Sequence, residues 1–252
     1  GLIHFVFFSP EDLSIIKNGP AERRHFLDSE LCQLDKVYLY QLSNYNKVVL
    51  QRNKLLKELY LHPDYREVLD VLDMQLVQYG SALIQRRQTF AEELGEIVHR
   101  IHSQLSGGQE EMELKYEPNV TVDAFAQMLF SNRERDMRLK TTATGPHRDD
   151  ISFVVNGVDI RKFGSQGQQR TAALSLKLSE IELVKRLIGD TPVLLLDDVL
   201  SELDSGRQNY LLNSIENIQT LITCTGLDEF VNHRFSINRI YKVTDGSVTV
   251  EN

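Results

Sequence analysis

The spacing of apolar residues predicts a short strand near the start of the chain. Residues 2–8 are almost all apolar, and the run ends at Ser9-Pro10, where the proline has no N–H to donate to a sheet. This pattern is typical of a buried strand. Residues 11–28 are mostly polar, and Gly19 marks a break within them.

Two long amphipathic helices are predicted next. Over residues 31–59, apolar residues recur mostly every three or four positions, and a second series with the same spacing covers residues 65–101. Pro63 separates the two series, which predicts an antiparallel helical hairpin over about residues 29–105. Two ordinary helices of a bundle are the alternative, because arginines interrupt the apolar spacing.

The rest of the chain alternates between strand-like and helix-like patterns. Thr121 is expected to cap a helix that runs to about Leu139. The other predicted elements are a strand at 112–116, hairpins that turn at Asn156-Gly157 and Asp245-Gly246, helices at about 167–188 and 206–213, and buried strands at 192–196 and 219–224. This order predicts an α/β fold with a mostly parallel sheet.

The composition is that of a globular protein and sets limits on function. Of the 252 residues, 41% are hydrophobic and 25% are charged. The apolar runs are far shorter than the ~20 residues that span a bilayer, so no membrane partner is expected. Cys32 and Cys224 lie far apart in sequence, which fits reduced thiols in the cytoplasm. A net charge of −8 argues against nucleic acid unless a local patch or another segment makes the contact.

A pair of carboxylates follows one of the predicted strands. Asp197 and Asp198 come directly after four aliphatic residues at 193–196, which we expect to be buried on both faces of a sheet. Ligands of open α/β sheets bind at the carboxyl ends of strands, and Mg²⁺ prefers oxygen ligands. One carboxylate would hold the metal against phosphates, and the other would orient or deprotonate a water molecule. An ordinary strand with an acidic turn is the alternative.

A glycine-rich helix start precedes this strand. Residues 164–170 read GSQGQQR and place Ser165 at the N-cap with Gln168 three positions on, which is the spacing of a capping box. Glycine permits close approach of the backbone, and the free N–H groups of a helix start attract an anion. A capped helix without a ligand is the alternative.

The glycine-rich helix start and the carboxylate pair occur together much less often than either occurs alone. The helix start, the two aspartates and then Ser201-Glu202-Leu203-Asp204 resemble the signature motif, Walker B and D-loop of an ABC-type ATPase head. Further strings resemble the RecF family of bacterial DNA-repair ATPases, which are related to the SMC proteins: FSPEDL (8–13), GPAERR (19–24), QRN (51–53) and GPHRDD (145–150). The resemblance extends to about residue 227.

The resemblance implies the C-terminal half of an ABC/SMC-type P-loop ATPase head plus a helical lobe. Residues 1–9 would be a remaining strand of the ATPase core, residues 10–140 the helical lobe, and residues 141–252 the C-terminal part of the core. No Gly-x-x-x-x-Gly-Lys-Ser/Thr motif occurs in the sequence, and in the family it lies upstream of the region matching Phe8. We therefore expect that an N-terminal part is missing and that this chain alone neither binds ATP tightly nor hydrolyses it.

The family resemblance also implies roles for individual residues around ATP and Mg²⁺. Ser165, Gly167 and Gln168 would contact the γ-phosphate of ATP held by a partner subunit. Asp197 would hold Mg²⁺ through water. Asp198 would be the catalytic carboxylate, one methylene shorter than the usual glutamate, which fits slow hydrolysis.

Four other positions are compared through the same resemblance. Asp204 would lie in the D-loop at the dimer interface. His147 and Arg148 follow a Gly-Pro turn and would reach phosphate, although a loop hydrogen bond is an equal alternative for His147. The position of the switch histidine, near Thr225, carries no histidine.

Several basic residues are candidate DNA contacts. Arg133, Arg135, Arg138 and Lys140 lie within one or two helical turns of one another, but Glu134 and Asp136 are interspersed, so a solvated helix face is the alternative. The other basic candidates are Arg23, Arg24, Arg52, Arg86 and Arg87.

The implied function is that of a DNA repair and recombination mediator. Family members form ATP-dependent homodimers, bind double-stranded and gapped or single-stranded DNA, and act with RecO and RecR to promote RecA loading at single-strand gaps and stalled forks. One alternative is a non-enzymatic module whose helical lobe docks a protein such as RecR. Another is an SMC-like head with much longer arms, against which the predicted length of the hairpin argues.

Overall fold

The computed structural model describes residues 3–58, 66–224 and 238–251 of the chain. The strands among them are β1 (Phe5–Phe8), β2 (Met112–Glu117), β3 (Asp150–Val155), β4 (Val158–Asp159), β5 (Val193–Asp197), β6 (Thr220–Thr223), β7 (Ile240–Thr244) and β8 (Ser247–Glu251). The helices are α1 (Leu13–Lys17), α2 (Pro20–Leu34), α3 (Lys36–Glu58), α4 (Arg66–Leu105), α5 (Val122–Ser131), α6 (Arg133–Leu139), α7 (Ile160–Phe163), α8 (Gln166–Ile188) and α9 (Ser205–Ser214). None of these helices is long and apolar enough to cross a membrane.

Three strands form the parallel sheet that the sequence predicts. β5 lies between β1 and β6, and both neighbours run parallel to it. Leu194 and Leu196 are buried on one face, but Leu195 on the other face is only partly buried. Its register partners there, Phe7 and Leu221, are 49% and 55% exposed. The expectation that this strand is buried on both faces is therefore wrong.

The long helices α3 and α4 pack against each other as an antiparallel hairpin. Tyr38 contacts Arg87, near the start of α3 and the middle of α4, whereas Arg52 contacts Asp73, so the two helices run in opposite directions. With 40 residues, α4 is about 60 Å long. The predicted break at Pro63 lies outside the described residues.

The first helix of the hairpin begins later than predicted. Leu31 and Leu34 belong to α2, because the chain leaves the helix at Asp35. Asp35 Oδ1 accepts hydrogen bonds from the backbone N–H groups of Val37 and Tyr38, at 2.8 and 3.1 Å. These bonds satisfy donors that a new helix start leaves free, so the interruption is stable.

The region predicted as one helix over 121–139 contains two helices. α5 and α6 separate at Asn132, whose Nδ2 donates to Thr144 Oγ1 at 2.8 Å. Thr121 takes the N-cap position of α5, but its side chain makes no capping hydrogen bond. A contact distant in sequence has thus divided a helix whose apolar spacing is continuous.

The two predicted hairpins are present, but one is shorter than expected. β3 and β4 meet at a turn in which Asn156 and Gly157 have φ values of 48° and 80°. β4 has only two residues, since Asp159 accepts a hydrogen bond from the backbone N–H of Arg161 at 3.0 Å and so caps α7. β7 and β8 form the second hairpin, and β2, a predicted strand, pairs with β3.

Three of the candidate DNA-binding arginines are buried. The side chains of Arg23, Arg52 and Arg87 are at most 2% exposed, and each is paired with aspartate. A buried arginine needs such partners because desolvation of an unpaired charge is costly. These three residues therefore do not contact DNA, and that expectation is wrong.

The two aspartates of the GPHRDD string bind arginines from two different helices. Asp150 accepts from Arg23 of α2 at 2.6 Å, and Asp149 accepts from Arg87 of α4 at 3.0 Å. Arg24 donates to the carbonyl oxygen of Asp149 at 2.8 Å, and Tyr116 donates to the Asp149 carboxylate. The two aspartates thus hold α2 and the hairpin against β3.

Candidate active site

The carboxyl end of the parallel sheet carries the two predicted carboxylates. Asp197 is the last residue of β5 and pairs with Thr223 of β6 in the sheet register. The Thr223 hydroxyl donates a hydrogen bond to Asp197 Oδ1, and Asp197 is exposed. Within the described residues its other carboxylate oxygen is thus available at the edge where α/β sheets place their ligands.

Asp198 has an uncommon backbone conformation. Its φ is 51°, in the left-handed region that few residues other than glycine adopt. Its N–H donates to the carbonyl oxygen of Thr223 at 3.1 Å, and its own carbonyl oxygen accepts from Ser201 Oγ at 2.9 Å. These bonds hold the turn that follows Asp197.

The Asp198 side chain has an unpaired oxygen. Among the described residues, Oδ1 of Asp198 is buried without a hydrogen-bond partner. Such an atom is costly unless a water molecule, an ion or a ligand meets it. A carboxylate pair with free oxygens suits Mg²⁺ and its bound waters, so the donor set fits this metal.

Helix α8 begins with the predicted capping box. Ser165 Oγ accepts from the backbone N–H of Gln168 at 3.2 Å, and Gln168 Oε1 accepts from the backbone N–H of Ser165 at 2.9 Å. Ser165 and Gly167 are exposed. The helix ends at Gly189, as predicted, in a left-handed conformation with φ 67°.

The two glycines at this helix start have different roles. A Cβ on Gly164 would lie 2.5 Å from the carbonyl oxygen of Ile160, so packing requires glycine there. A Cβ on Gly167 would meet only Ser165 Oγ at 3.8 Å. Packing within the described residues thus does not explain Gly167, whereas close approach of a ligand would.

Asp204 caps the helix that follows the D-loop-like segment. Its Oδ1 accepts from the backbone N–H of Arg207 at 3.0 Å, and its carboxylate is ion-paired with the Arg207 guanidinium. The backbone hydrogen bond from Arg207 lowers the pKa of Asp204. One pocket is lined by Leu203 of this segment, Arg170 of α8 and Phe8 of β1, so these three elements lie close together.

His147 is held inside the structure by both ring nitrogens. Nε2 lies 2.9 Å from the carbonyl oxygen of Thr142, so it must carry the proton, and Nδ1 then accepts from the hydroxyl of Tyr45 at 2.7 Å. Burial lowers the pKa of His147 to about 4. The loop hydrogen-bonding alternative thus describes His147, because both of its ring nitrogens are bonded within the protein. Arg148 is exposed.

The basic residues of α6, together with Lys140 directly after it, lie in different environments. Arg133 forms ion pairs with Asp70 at 2.6 Å and Asp73 at 2.7 Å, and its guanidinium lies 4.8 Å from the ring centre of Phe130. Arg133 is thus engaged with α4 and α5 rather than free for DNA, contrary to expectation. The residues of this run that are exposed are Arg135, Arg138 and Lys140.

The sequence did not predict one hydrogen bond of the site, and one predicted position cannot be compared with the structure. Glu110 accepts a hydrogen bond from Gln168 Nε2 at 2.9 Å, although the two residues are 58 positions apart and no motif links them. The switch position near Thr225 lies outside the described residues.

Comparison with known proteins gives the class of this fold. No family model matches the chain. A solved structure of an Smc head domain from Pyrococcus furiosus superposes with a TM-score of 0.50 at 14% identity, over 98% of this chain and 61% of that one, which shows the fold alone. The fold is that of part of an SMC-type head domain.

Closer relatives define the family. The DNA replication and repair proteins RecF of Lachnospira eligens and Agathobacter rectalis are 60% and 61% identical over 254 and 250 residues, which cover 100% and 99% of this chain and 70% and 69% of those proteins. A solved structure of the recombination mediator protein RecF-ATP in the RecFOR pathway superposes with a TM-score of 0.91 at 36% identity, over 100% of this chain and 68% of that one. The chain belongs to the RecF family of DNA replication and repair proteins.

Proposed function

We propose that the protein containing this chain is an ATP-dependent DNA-binding switch in repair and recombination. In this proposal two copies dimerise around ATP, and hydrolysis releases them. The observation that carries it is the unpaired, buried Oδ1 of Asp198 beside the open carboxylate of Asp197, at the ligand-binding edge of the parallel sheet. A solved relative is described as RecF-ATP, which supports ATP as the ligand.

The signature residues would act on the nucleotide of the second copy. Ser165 and Gly167 are exposed at the start of α8, where the free N–H groups and the helix dipole favour a phosphate. The open space around Gly167 supports close approach of that phosphate. Asp204, at the start of α9, would lie at the interface between the copies.

Asp197 and Asp198 would divide the chemistry between them. Asp197 would hold Mg²⁺ through water, and the metal would offset the negative charge of the phosphates. Asp198 would orient the attacking water, and its short side chain and constrained backbone favour slow hydrolysis that times the release of DNA.

This chain alone should not perform the reaction. Its sequence contains no Gly-x-x-x-x-Gly-Lys-Ser/Thr motif to hold the β- and γ-phosphates. We expect no tight ATP binding by the isolated chain in calorimetry, and micromolar affinity would contradict this part of the proposal.

The pathway and the partners are proposed from the relatives. RecF proteins are named for DNA replication and repair, and one solved member is described as a mediator in the RecFOR pathway. We propose that the full protein works in the cytoplasm with RecO and RecR and promotes RecA loading at single-strand gaps and stalled forks. Arg135, Arg138 and Lys140, which are exposed, would contact double-stranded, gapped or single-stranded DNA.

Asp198→Asn in the full-length protein tests the proposal. This change keeps the shape of the side chain but removes its charge, so hydrolysis should fall at least about tenfold while ATP-dependent dimerisation persists. Asp190→Asn, at an exposed aspartate between α8 and β5, is the matched control. Equal hydrolysis rates in the two variants would contradict the role of Asp198.

A docking function for the hairpin is a second candidate. Tyr40 and Leu50 of α3 are 60% and 70% exposed, and Met74 of α4 is 73% exposed, which leaves apolar side chains available to a partner protein such as RecR. Pull-down of RecR by the full-length protein, with and without serine at these three exposed positions of the hairpin, separates the two functions. Docking predicts loss of RecR by the serine variant while ATP hydrolysis is retained.

A further inference from the structure

The amide of Gln168 is fixed at both ends. Its Oε1 accepts from the backbone N–H of Ser165 at 2.9 Å, and its Nε2 donates to Glu110 Oε1 at 2.9 Å. An amide with both ends bonded has a defined orientation. The signature motif therefore depends on Glu110, a residue that lies outside the motif in the connection between α4 and β2.

Glu110 is fixed in turn to the end of α4. Glu110 Oε2 lies 3.1 Å from Nε2 of His102, a fully buried residue in the last turn of that helix. The backbone N–H of Glu110 donates to Ser106 Oγ at 3.1 Å, which closes the connection onto the helix. The position of the Glu110 carboxylate thus follows that of α4.

His102 joins α4 to α8. Burial lowers the pKa of His102, so the ring is neutral at pH 7. Because a carboxylate only accepts hydrogen bonds, Nε2 carries the proton toward Glu110, and Nδ1 faces the Ser175 hydroxyl of α8 at 2.9 Å. One imidazole therefore contacts both the carboxylate that holds Gln168 and the body of the signature helix.

The same turns of α4 also contact the helix that follows Asp204. Tyr210 of α9 donates to Gln104 Oε1 at 2.5 Å, and Arg100 forms an ion pair with Glu182 of α8. The base of one continuous helix of 40 residues is thus bonded to the helix that carries the signature and to the helix that follows the D-loop segment.

We propose that Glu110 is a positioning residue that couples the long helix α4 to the signature motif. This inference rests on the proposed function, in which Gln168 faces the ATP of a second copy. Glu110 holds the Gln168 amide in the orientation for that contact. A displacement of α4 carries His102 and Glu110 with it and releases the amide, so an event at the hairpin changes the affinity of the two heads for each other.

Glu110→Ala in the full-length protein tests the coupling, with Glu111→Ala, at the exposed neighbouring glutamate, as the matched control. The measurement is the dimer dissociation constant with a non-hydrolysable ATP analogue. We expect dimerisation about tenfold weaker than in the control, as for loss of a hydrogen bond to a charged group. ATP binding by the monomer should be unchanged. Glu110→Gln, which keeps an oxygen facing Gln168, should restore dimerisation.

Gln168→Ala and the double variant separate coupling from a general loss of structure. If Glu110 acts through Gln168, Glu110→Ala should add little to the effect of Gln168→Ala. Additive effects, or no difference between Glu110→Ala and Glu111→Ala, would overturn the inference. Failure of Glu110→Gln to restore dimerisation would also overturn it. If Gln168→Ala alone leaves ATP-dependent dimerisation unchanged, the proposed function fails instead.

Discussion

Arg52 and Asp136 form an ion pair at 2.7 Å in which neither side chain is exposed to solvent. The same guanidinium donates to Asp73 at 2.6 Å and to Thr142 Oγ1 at 3.0 Å. Because these partners belong to α4, to α6 and to the segment after α6, one arginine of α3 holds the lobe together. Arg52 interrupts the apolar spacing along the hairpin, and its buried ion pairs account for a charged residue at this position.

Arg52→Met should strongly destabilise the protein. The change leaves the buried carboxylate of Asp136 without its arginine, and Asp73 keeps only its ion pair with Arg133. An uncompensated buried charge costs about 3–5 kcal/mol in comparable cases. Urea-induced unfolding at pH 7 measures the loss. Arg138→Met, at an exposed position on α6, is the control and should change the free energy of unfolding by less than about 0.5 kcal/mol. A similar, small effect of both changes would contradict the structural role of Arg52.

The sequence predicted those elements that depend on local signals. α8 begins and ends at its capping residues, Ser165 and Gly189, because both caps are made by neighbours in the chain. The breaks at Asp35 and Asn132 were missed, since the apolar spacing runs through both. At Asn132 the partner, Thr144, is distant in sequence.

In the candidate site, too, local patterns were predictable and contacts between distant parts of the sequence were not. Asp197 and Asp198 were predictable, because a strand followed by carboxylates is a local pattern. The contact between Glu110 and Gln168 was not, since nothing in either segment specifies the other. For Arg52 a signal was available: a charged residue within an apolar seam points to a buried ion pair as well as to a surface, but its aspartates could not be identified from spacing.

Acid should weaken the fold through His147. Burial lowers its pKa to about 4 from the ordinary 6.5, so the unfolded chain binds more protons between these values. The stabilisation that neutral His147 provides is complete above pH 6.5 and is lost as the pH falls toward 4. The loss is about 2 kcal/mol at pH 5.

His147→Gln should remove this contribution. The wild-type free energy of unfolding should therefore fall more than that of the variant between pH 7.5 and pH 5, by about 2 kcal/mol. Comparing the two proteins cancels the titration of other groups. An identical pH dependence would show that His147 is not the buried neutral group that its contacts with Tyr45 and Thr142 indicate.

Asp204 provides a test that separates capping from charge. Asp204→Ala should lower the free energy of unfolding by about 1 kcal/mol, because the backbone N–H of Arg207 loses its acceptor. Asp204→Asn should have little effect, since asparagine caps helices about as well as aspartate. Thermal unfolding measures both variants, and equal destabilisation by the two would show that the ion pair with Arg207, not the cap, is what stabilises α9.

The exposed basic residues of α6, with Lys140 directly after it, predict how DNA affinity depends on salt concentration. If Arg135, Arg138 and Lys140 bind phosphates in the full-length protein, replacing all three by alanine should weaken duplex binding. The slope of log affinity against log salt should fall by about 0.9 for each phosphate that is no longer neutralised. Arg133→Ala should instead lower stability, because its guanidinium is paired with aspartates of α4.

A variant with the same change in charge provides the control for this experiment. Replacing Lys36, Lys47 and Arg186, which are exposed on α3 and α8, by alanine removes three positive charges elsewhere on the protein. If the α6 residues bind phosphate directly, the control variant should keep the wild-type salt slope, because local counterion release sets that slope. Equal slopes in both triple variants would show that net charge alone governs the affinity and that α6 is an ordinary solvated face.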